Sequence, residues 1–464
     1  SNPASLTASK LADFYGLAEG FTIQQADAEQ AYINAKLNTT ETWVRLPPNR
    51  VPARWKHLKD PVFRLVLALY GHPESGGHWE AHANAILLKE NWTPVSVDAF
   101  RSVYYHKALK CILILYVDDF RIAGPVENMT KAWLTISKNI KIGPVEDSGK
   151  FLGCNHVLSQ KTIPAGGDPW REYKQNELKG DCTKLNIIEY DMEEFLRSCV
   201  SKYQELSNCK ALTHADTPFI DEAKADKEYF AAQYKLEDEA AKGNSIAGKL
   251  AETVEEGELK PIAARVIMKV FYAARLARWD LLRAIGMLAT RITKWNKWDD
   301  KRLHRLMCYV NSTFKLRMRS WRSTKDKEFA HDLYVDADFA GDQKDSKSTN
   351  GIYQLICASG SRGQVSAVSK KQTCVSHSTP EAEIVAADHG VRNEALPALD
   401  LIELVLGRKD RVMLHEDNET AALAMRTGNA LSSQDASCQY KLVARFTGEW
   451  HYSCFELRHR APKG

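Results

Sequence analysis

The stretch CILILYVDDFRIAG, residues 111–124, joins an apolar run to two adjacent aspartates and then to a second apolar run. Cys111 to Val117 has the length of a buried strand and is too short for a membrane span. The pattern predicts a β-hairpin whose tip carries Asp118 and Asp119. Two carboxylates about 4 Å apart repel each other by about 4 kcal/mol at an effective dielectric near 20. A hard divalent metal ion at the tip would relieve this repulsion.

The composition is that of a globular protein. With 464 residues, 44% of them hydrophobic, the chain predicts roughly two to four domains with packed cores. Its formal net charge of +4 hides an asymmetry, because residues 221–260 carry 11 acids and 6 bases and leave a net +9 on the remainder. This acidic segment is either a solvated helix or an insertion, and the lack of a coherent apolar face favours the insertion.

Targeting, membrane and cysteine signals exclude several classes of protein. The ten cysteines include no CxxC pair and no close Cys/His cluster, which argues against a zinc site and a disulfide framework. No signal-like N-terminal segment is present, and no stretch approaches 18 apolar residues. The sequence therefore predicts a soluble intracellular protein with no membrane partner, in a cytoplasmic particle or in the nucleus.

Positive charge is concentrated in residues 261–322, which have helical spacing and hold 15 Lys or Arg against 3 acids. Trp279, Trp295, Trp298 and Trp321 are interleaved with these bases. One interpretation is a groove that binds nucleic acid through phosphate contacts and aromatic stacking. The other is an amphipathic helical bundle with solvated basic faces. The candidate nucleic-acid contacts are Arg275, Arg278 and Arg283.

A third aspartate accompanies the hairpin pair. In FTIQQADAEQAYINAKL, residues 21–37, an extended segment delivers Asp27 just before a turn. Carboxylates from separate strands can hold two Mg²⁺ or Mn²⁺ ions, because one strand points alternate side chains to opposite faces. Asp27, Asp118 and Asp119 therefore predict a two-metal site for phosphoryl transfer.

A second acidic set lies in the C-terminal third. Asp336 ends the apolar segment LYV, Glu383 opens the helix-like run EIVAA, and Asp417 follows VML. Three carboxylates on three elements predict another two-metal site, suited to hydrolysing a phosphodiester. Three further acids lie close in sequence and are either supporting or merely exposed groups: Glu381, Asp338 and Asp342.

Matching blocks in one order resemble the reverse transcriptase and RNase H region of the polyprotein of copia-type LTR retrotransposons. The blocks that precede the basic region are QQADAEQAYINAKL, VRLPPNR, LALYGHPESGGHWE, LYVDDFRIAG and GKFLGC. Those that follow it are VDADFAGDQKDSKSTNG, SKKQTCVSHSTPEAEIVAA and HEDNETAALAM. They cover most of the chain except the acidic segment and the extreme C-terminus.

The resemblance implies an RNA-directed DNA polymerase, a nucleotidyltransferase, coupled to the endonuclease RNase H. It implies α+β and α/β folds: a right-hand polymerase palm with partial fingers over 1–158, a helical basic thumb and connection over 159–325, and an RNase H-like domain over 326–464. Two Mg²⁺ or Mn²⁺ ions are implied for each active site. The implied partners are an RNA template, a DNA primer, an RNA–DNA hybrid and dNTPs, and a homodimer or another protein partner is compatible with it.

The resemblance also assigns roles to residues beside the acids. Tyr32 takes the place of the aromatic that stacks under the deoxyribose, and Val117 would lie beneath the primer terminus. Phe151, Leu152 and Gly153 would belong to the hairpin that grips the primer, with plain strand packing as an equal alternative. Glu383 is preferred to Glu381 as the metal ligand because Ala386 reproduces the E-x-x-A helix start of RNase H enzymes.

Three departures from the family pattern favour a second hypothesis. The chain starts after the Lys- and Arg-rich fingers segment, Glu74 replaces a nucleotide-binding Gln, and Val443 stands where a fourth RNase H acid is expected, with Asp435 nearby. These departures suggest a retroelement-derived, catalytically impaired subunit that binds nucleic acid or has a structural role. All six principal acids are present, which favours the enzyme because acid clusters are costly to keep without a metal.

Overall fold

The computed structural model describes most of the chain. The described residues are 5–38, 41–96, 99–100, 102–220, 239, 241–243, 256–341 and 346–427, with the backbone of 441–444 and 453–458. The chain forms two compact units, the first made of residues 1–149 with 400–405 and the second of 150–399 with 406–464. Most of the acidic segment 221–260 lies outside the described residues.

The first unit contains, in its described part, a six-stranded antiparallel sheet in the order β4-β5-β6-β7-β1-β8 and a separate pair, β2-β3. Its strands are β1 (Phe21–Asp27), β2 (Trp43–Arg45), β3 (Val62–Arg64), β4 (Trp92–Pro94), β5 (Val103–His106), β6 (Cys111–Tyr116), β7 (Asp119–Pro125) and β8 (Glu146–Asp147). Its helices are α1 (Leu6–Gly16), α2 (Ser75–Lys89) and α3 (Val126–Ser137).

The apolar run in residues 111–116 forms β6, a central strand of this sheet. Its first five residues are buried, as expected for a strand covered on both faces. The neighbouring strand β7 carries Arg121, whose guanidinium donates to Asp13 of α1 at 2.7 and 2.9 Å and to Ser148 at 3.0 Å. Both members of the Arg121–Asp13 ion pair are fully buried. Hydrogen bonds thus satisfy this buried charge and fix α1 to the sheet.

The second unit contains a ten-stranded sheet within its described residues, in the order β17-β18-β16-β13-β14-β15-β12-β11-β10-β9. Its strands are β9 (Lys150–Phe151), β10 (Cys154–Pro164), β11 (Cys182–Asp191), β12 (Met318–Ser323), β13 (Ala330–Asp338), β14 (Thr349–Ala358), β15 (Ser361–Lys371), β16 (Val412–Glu416), β17 (Lys441–Ala444) and β18 (Ser453–Arg458). Strands β13 and β16 are parallel, and the other named pairs are antiparallel.

The helices introduced with this unit are mostly amphipathic. They are α4 (Glu193–Ser207), α5 (Lys260–Leu276), α6 (Leu282–Arg291), α7 (Lys297–Thr313), α8 (Thr379–Gly390), α9 (Leu396–Leu406) and α10 (Glu419–Thr427). Residues 400–405 of α9 belong to the first unit. Three of them, α5 to α7, account for most of the basic region. No helix among the described residues is long and apolar enough to cross a membrane.

Strand pairing runs through both boundaries that the sequence suggested. The boundary at 158/159 falls inside β10, whereas the first compact unit ends at Gly149. The boundary at 325/326 falls between β12 and β13. These two strands belong to one sheet, because β12 pairs with β15, β15 pairs with β14 and β14 pairs with β13.

Candidate functional site

The predicted hairpin at the first acidic set is confirmed. Strands β6 and β7 pair so that Tyr116 lies opposite Asp119, and Val117 and Asp118 form the turn between them. Val117 has a φ of +61°, a left-handed conformation that costs energy for a β-branched residue. The indole N–H of buried Trp79 donates to the Val117 carbonyl at 2.6 Å. This contact helps to hold the strained turn.

Sheet register brings Asp27 to the same hairpin. Strands β1 and β7 pair with Asp27 opposite Asp119, and the Ala28 N–H donates to the Asp118 carbonyl at 2.7 Å. Burial, together with the Asp118 charge and with a hydrogen bond and charge at Asp27, raises the pKa of Asp119 to about 6. Burial is the largest cause of this shift, and the charges of the neighbouring carboxylates add to it.

Two tyrosines lie beside this acidic set. Tyr32 is half-buried against the core, and its ring centroid lies 4.4 Å from that of Tyr70. Burial, followed by the Asp118 charge and by Tyr32, raises the pKa of Tyr70. Sequence reasoning missed Tyr70, although it stands in the LALYG block. Glu74 is exposed at the N-terminus of α2, and its own N–H donates to His72 Nδ1 at 3.2 Å.

The segment FLG forms a tight turn between β9 and β10. Leu152 and Gly153 have φ values of +51° and +72°, the signature of a two-residue type I′ hairpin. The Tyr272 hydroxyl of α5 donates to the Leu152 carbonyl at 2.7 Å. Phe151 is buried, so its side chain serves packing. A role of the turn in gripping a primer stays a prediction.

The second acidic set converges at one edge of the larger sheet. In the parallel β13–β16 register Tyr334 lies opposite His415, so Asp336 and Asp417, each two residues further on, reach the same level. Helix α8 supplies Glu383. One ligand atom from each of Asp336, Glu383 and Asp417 lies within 4.8 Å of the other two, and no other such triple is found in the described part of the chain.

The electrostatics of this cluster favour a bound cation. Glu383 is 3% exposed, whereas Asp336 and Asp417 are exposed. Burial, together with the charges of Glu416, Asp336 and Asp417, raises the pKa of Glu383 to about 8. Burial, with Asp417, also raises the pKa of Asp336. The buried Glu383 Oε2 has no hydrogen-bond partner among the described residues, so the donor set fits a divalent metal ion.

Sequence reasoning did not assign a role to Glu416. This residue is fully buried, and burial raises its pKa to about 7. Its Oε1 accepts the Asn418 N–H at 3.0 Å, while Oε2 has no partner among the described residues. Alternate side chains of β16 are buried, beginning with Val412 and Leu414. Counting two residues on from Leu414 would have identified Glu416 as an inward-facing acid.

The other nearby acids have different surroundings. The partly buried Glu381 accepts the His377 N–H at 2.8 Å near the start of α8. Asp338 forms an ion pair with Arg283 at 2.6 Å and accepts the Thr349 N–H. Asp342 and Asp435 lie outside the described residues, and for Val443 on β17 only the backbone is described.

One predicted nucleic-acid contact is corrected by the structure. Arg278 is 2% exposed, and its guanidinium donates to Asp280 and to the Thr313 carbonyl and hydroxyl. It therefore has almost no surface for a phosphate. Arg275 is exposed, and Arg283 is partly exposed in its ion pair with Asp338.

Comparison with known proteins shows similarity to part of a retrotransposon polyprotein. No protein-family model matches it. It is 24% identical over 397 residues to the retrovirus-related Pol polyprotein from transposon TNT 1-94 of Nicotiana tabacum. The chain derives from a retroelement. The match covers 84% of this chain and 25% of the tobacco polyprotein, so the chain spans about a quarter of that relative's length.

The acidic cluster predicts a pH-dependent stability of the metal-free retroelement protein. Because the pKa of Glu383 rises from 4.5 to about 8 on folding, the folded state holds more protons than the unfolded state between these values. The free energy of unfolding should fall as pH rises through this window. Urea denaturation at several pH values should show this slope, and Glu383→Gln should flatten it. Parallel pH profiles for the parent and Glu383→Gln would contradict the expectation.

Proposed function

We propose that this retroelement-derived chain is an RNA-directed DNA polymerase coupled to RNase H, with a polymerase palm in the first unit and an RNase H-like domain in the second. The observation that carries the proposal is the convergence of Asp336, Glu383 and Asp417 within 4.8 Å at one sheet edge. Clustered acids repel one another and so destabilise the fold. Such a cluster, in which buried Glu383 has an oxygen without a hydrogen-bond partner among the described residues, is typical of a metal-dependent phosphoryl-transfer site.

The first unit supports the polymerase half of the proposal. Cross-strand register sets Asp27 beside Asp119, and the strained turn carries Asp118. Tyr32 lies against the core on a short 3₁₀ helix, Ala31–Asn34, that follows β1 after a turn. The resemblance places the residue under the deoxyribose at this position. The first unit thus contains acids and an aromatic, the groups that a nucleotide site requires.

Asp336, Glu383 and Asp417 would hold Mg²⁺ or Mn²⁺ through their converging carboxylates. Asp27, Asp118 and Asp119 would hold the same ions in the first unit, although one ligand atom from each does not lie within 4.8 Å of the other two in this structure. The bound ions would supply charge stabilisation and an activated nucleophile. The protein's own contribution is orientation. Glu383 is fixed by burial in α8, while Asp336 and Asp417 present their carboxylates to solvent, where a phosphodiester can approach.

The substrates proposed are an RNA template, a DNA primer, their hybrid and dNTPs. The described helices α5 to α7 contribute exposed cations such as Arg275, Lys297 and Lys301. Basic side chains bind phosphates and release counterions, so the affinity for a hybrid should fall steeply with salt.

A single assay tests the function. The chain is mixed with an RNA template annealed to a labelled DNA primer, with dNTPs and Mg²⁺, and both primer extension and RNA cleavage are scored. The proposal expects cleavage of the RNA strand and some extension. Salt-dependent hybrid binding with neither reaction would instead support the catalytically impaired subunit. The absence of binding as well would exclude both functions.

A further inference from the structure

A cavity of about 520 Å³ lies on one face of the larger sheet, in the second unit. Its floor is formed by β12 and β15, where Trp321 pairs with Arg362. Trp170 borders it from the segment between β10 and β11, and Trp279 from the turn before α6. None of the six principal acids lines it. The volume falls in the range of small-molecule sites, roughly 300–1,000 Å³.

Aromatic side chains make up much of the wall. Trp170 and Trp321 meet edge to face with ring centroids 4.7 Å apart, and Trp279 and Tyr353 do so at 5.8 Å. Trp170 is 46% exposed, and the Arg319 guanidinium lies over its ring at 4.9 Å from the ring centroid. These rings offer apolar surfaces on which a planar group can stack.

Arginines are the main charged side chains of the wall. Four arginines and one acid line the cavity: Arg278, Arg317, Arg319, Arg362 and Asp280. The first three arginines are held by carboxylates, with ion pairs of 2.7 to 3.1 Å. Arg362 is exposed and forms no ion pair with a carboxylate of the described residues. Its guanidinium is therefore available to a ligand.

We propose that this cavity binds one unpaired nucleotide of an RNA or DNA strand, with the base stacked on the tryptophans and a phosphate at Arg362. Base stacking on aromatic side chains is tolerant of sequence, and a guanidinium pairs well with phosphate oxygens. The proposal rests on the proposed nucleic-acid function and adds to it a preference for single-stranded extensions. Carboxylates balance the charges of the other three arginines, so Arg362 makes the direct contact with the phosphate.

The test compares the binding of two probes to the full chain. One is a blunt RNA–DNA hybrid, and the other is the same hybrid with a short single-stranded RNA extension that contains 2-aminopurine. The parent should bind the extended probe about tenfold more tightly and quench the 2-aminopurine fluorescence, as expected for one stacked base. Trp170→Ala and Arg362→Ala should each lose most of this preference. Trp170→Phe should retain part of it.

Arg392→Ala is the matched control, because it removes one exposed arginine from the same unit outside the cavity. It should keep the full preference and the quenching. Equal affinity of the parent for both probes, or a preference that survives both cavity variants, would overturn the cavity proposal alone if hybrid binding and cleavage persist. A parent that binds neither probe would overturn the proposed function together with it.

Discussion

Asp336→Asn and Glu383→Gln are each expected to abolish cleavage of the RNA strand in an RNA–DNA hybrid. The three carboxylates lie within 4.8 Å of one another and would share the charge of the bound metal ions, so neutralising one of them weakens metal binding and misplaces the ions. The loss should be about a thousandfold, the size expected when a group that stabilises the transition state is removed. The measurement is single-turnover cleavage of labelled RNA with Mg²⁺.

Glu381→Gln provides a matched control for this prediction. Glu381 lies on the same helix two residues from Glu383, but it is only partly buried, lies outside the cluster of three acids and accepts a hydrogen bond from the His377 N–H. Its variant should cleave within a few-fold of the parent rate. Calorimetric titration with Mg²⁺ should show binding to the parent and to Glu381→Gln, with weaker binding to Glu383→Gln. Cleavage by Glu383→Gln at the parent rate would refute the assignment of this residue.

The sequence predicted the local elements around both acidic sets. The run CILILY could only be a buried strand, and the two aspartates after it had to lie at a turn because Gly124 and Pro125 end the next strand. The sequence also allowed the prediction that Asp336 and Asp417 lie close together, since both follow apolar strands. Their common level depends on the parallel β13–β16 pairing, which brings the carboxyl ends of the two strands together.

Other features depend on long-range packing that no local pattern specifies. Arg278 has the appearance of an exposed base within a basic segment, but it is buried because Asp280 and Thr313 satisfy its donors. The sequence did not predict Glu416 as a site residue, because acidic side chains are ordinarily exposed to solvent and Glu416 is buried. The pairing of β12 with β15 joins segments about 40 residues apart, and this register alone sets Trp321 beside Arg362.

Asp118→Asn is expected to abolish primer extension while leaving the fold and hybrid cleavage intact. Asp118 lies in the two-residue turn whose backbone is held by Trp79 and Ala28, so its carboxylate is not needed to form the hairpin. Removing its charge should also relieve part of the repulsion that raises the pKa of Asp119. Extension of a labelled primer on RNA should fall by about a hundredfold or more, as for the loss of one group that stabilises transition-state charge.

Asp147→Asn is the control for this variant, because Asp147 lies on β8 of the same sheet, is exposed and accepts only a hydrogen bond from Gln24 among its described contacts. It should extend the primer at the parent rate. Glu74→Gln should extend it faster, since the exposed carboxylate would repel the triphosphate of an incoming nucleotide. Equal extension by the parent and Asp118→Asn, with thermal unfolding unchanged, would remove Asp118 from the catalytic set. A parallel loss of hybrid cleavage would instead show that the substitution disturbs the folded chain, because RNase H chemistry requires none of the first acidic set.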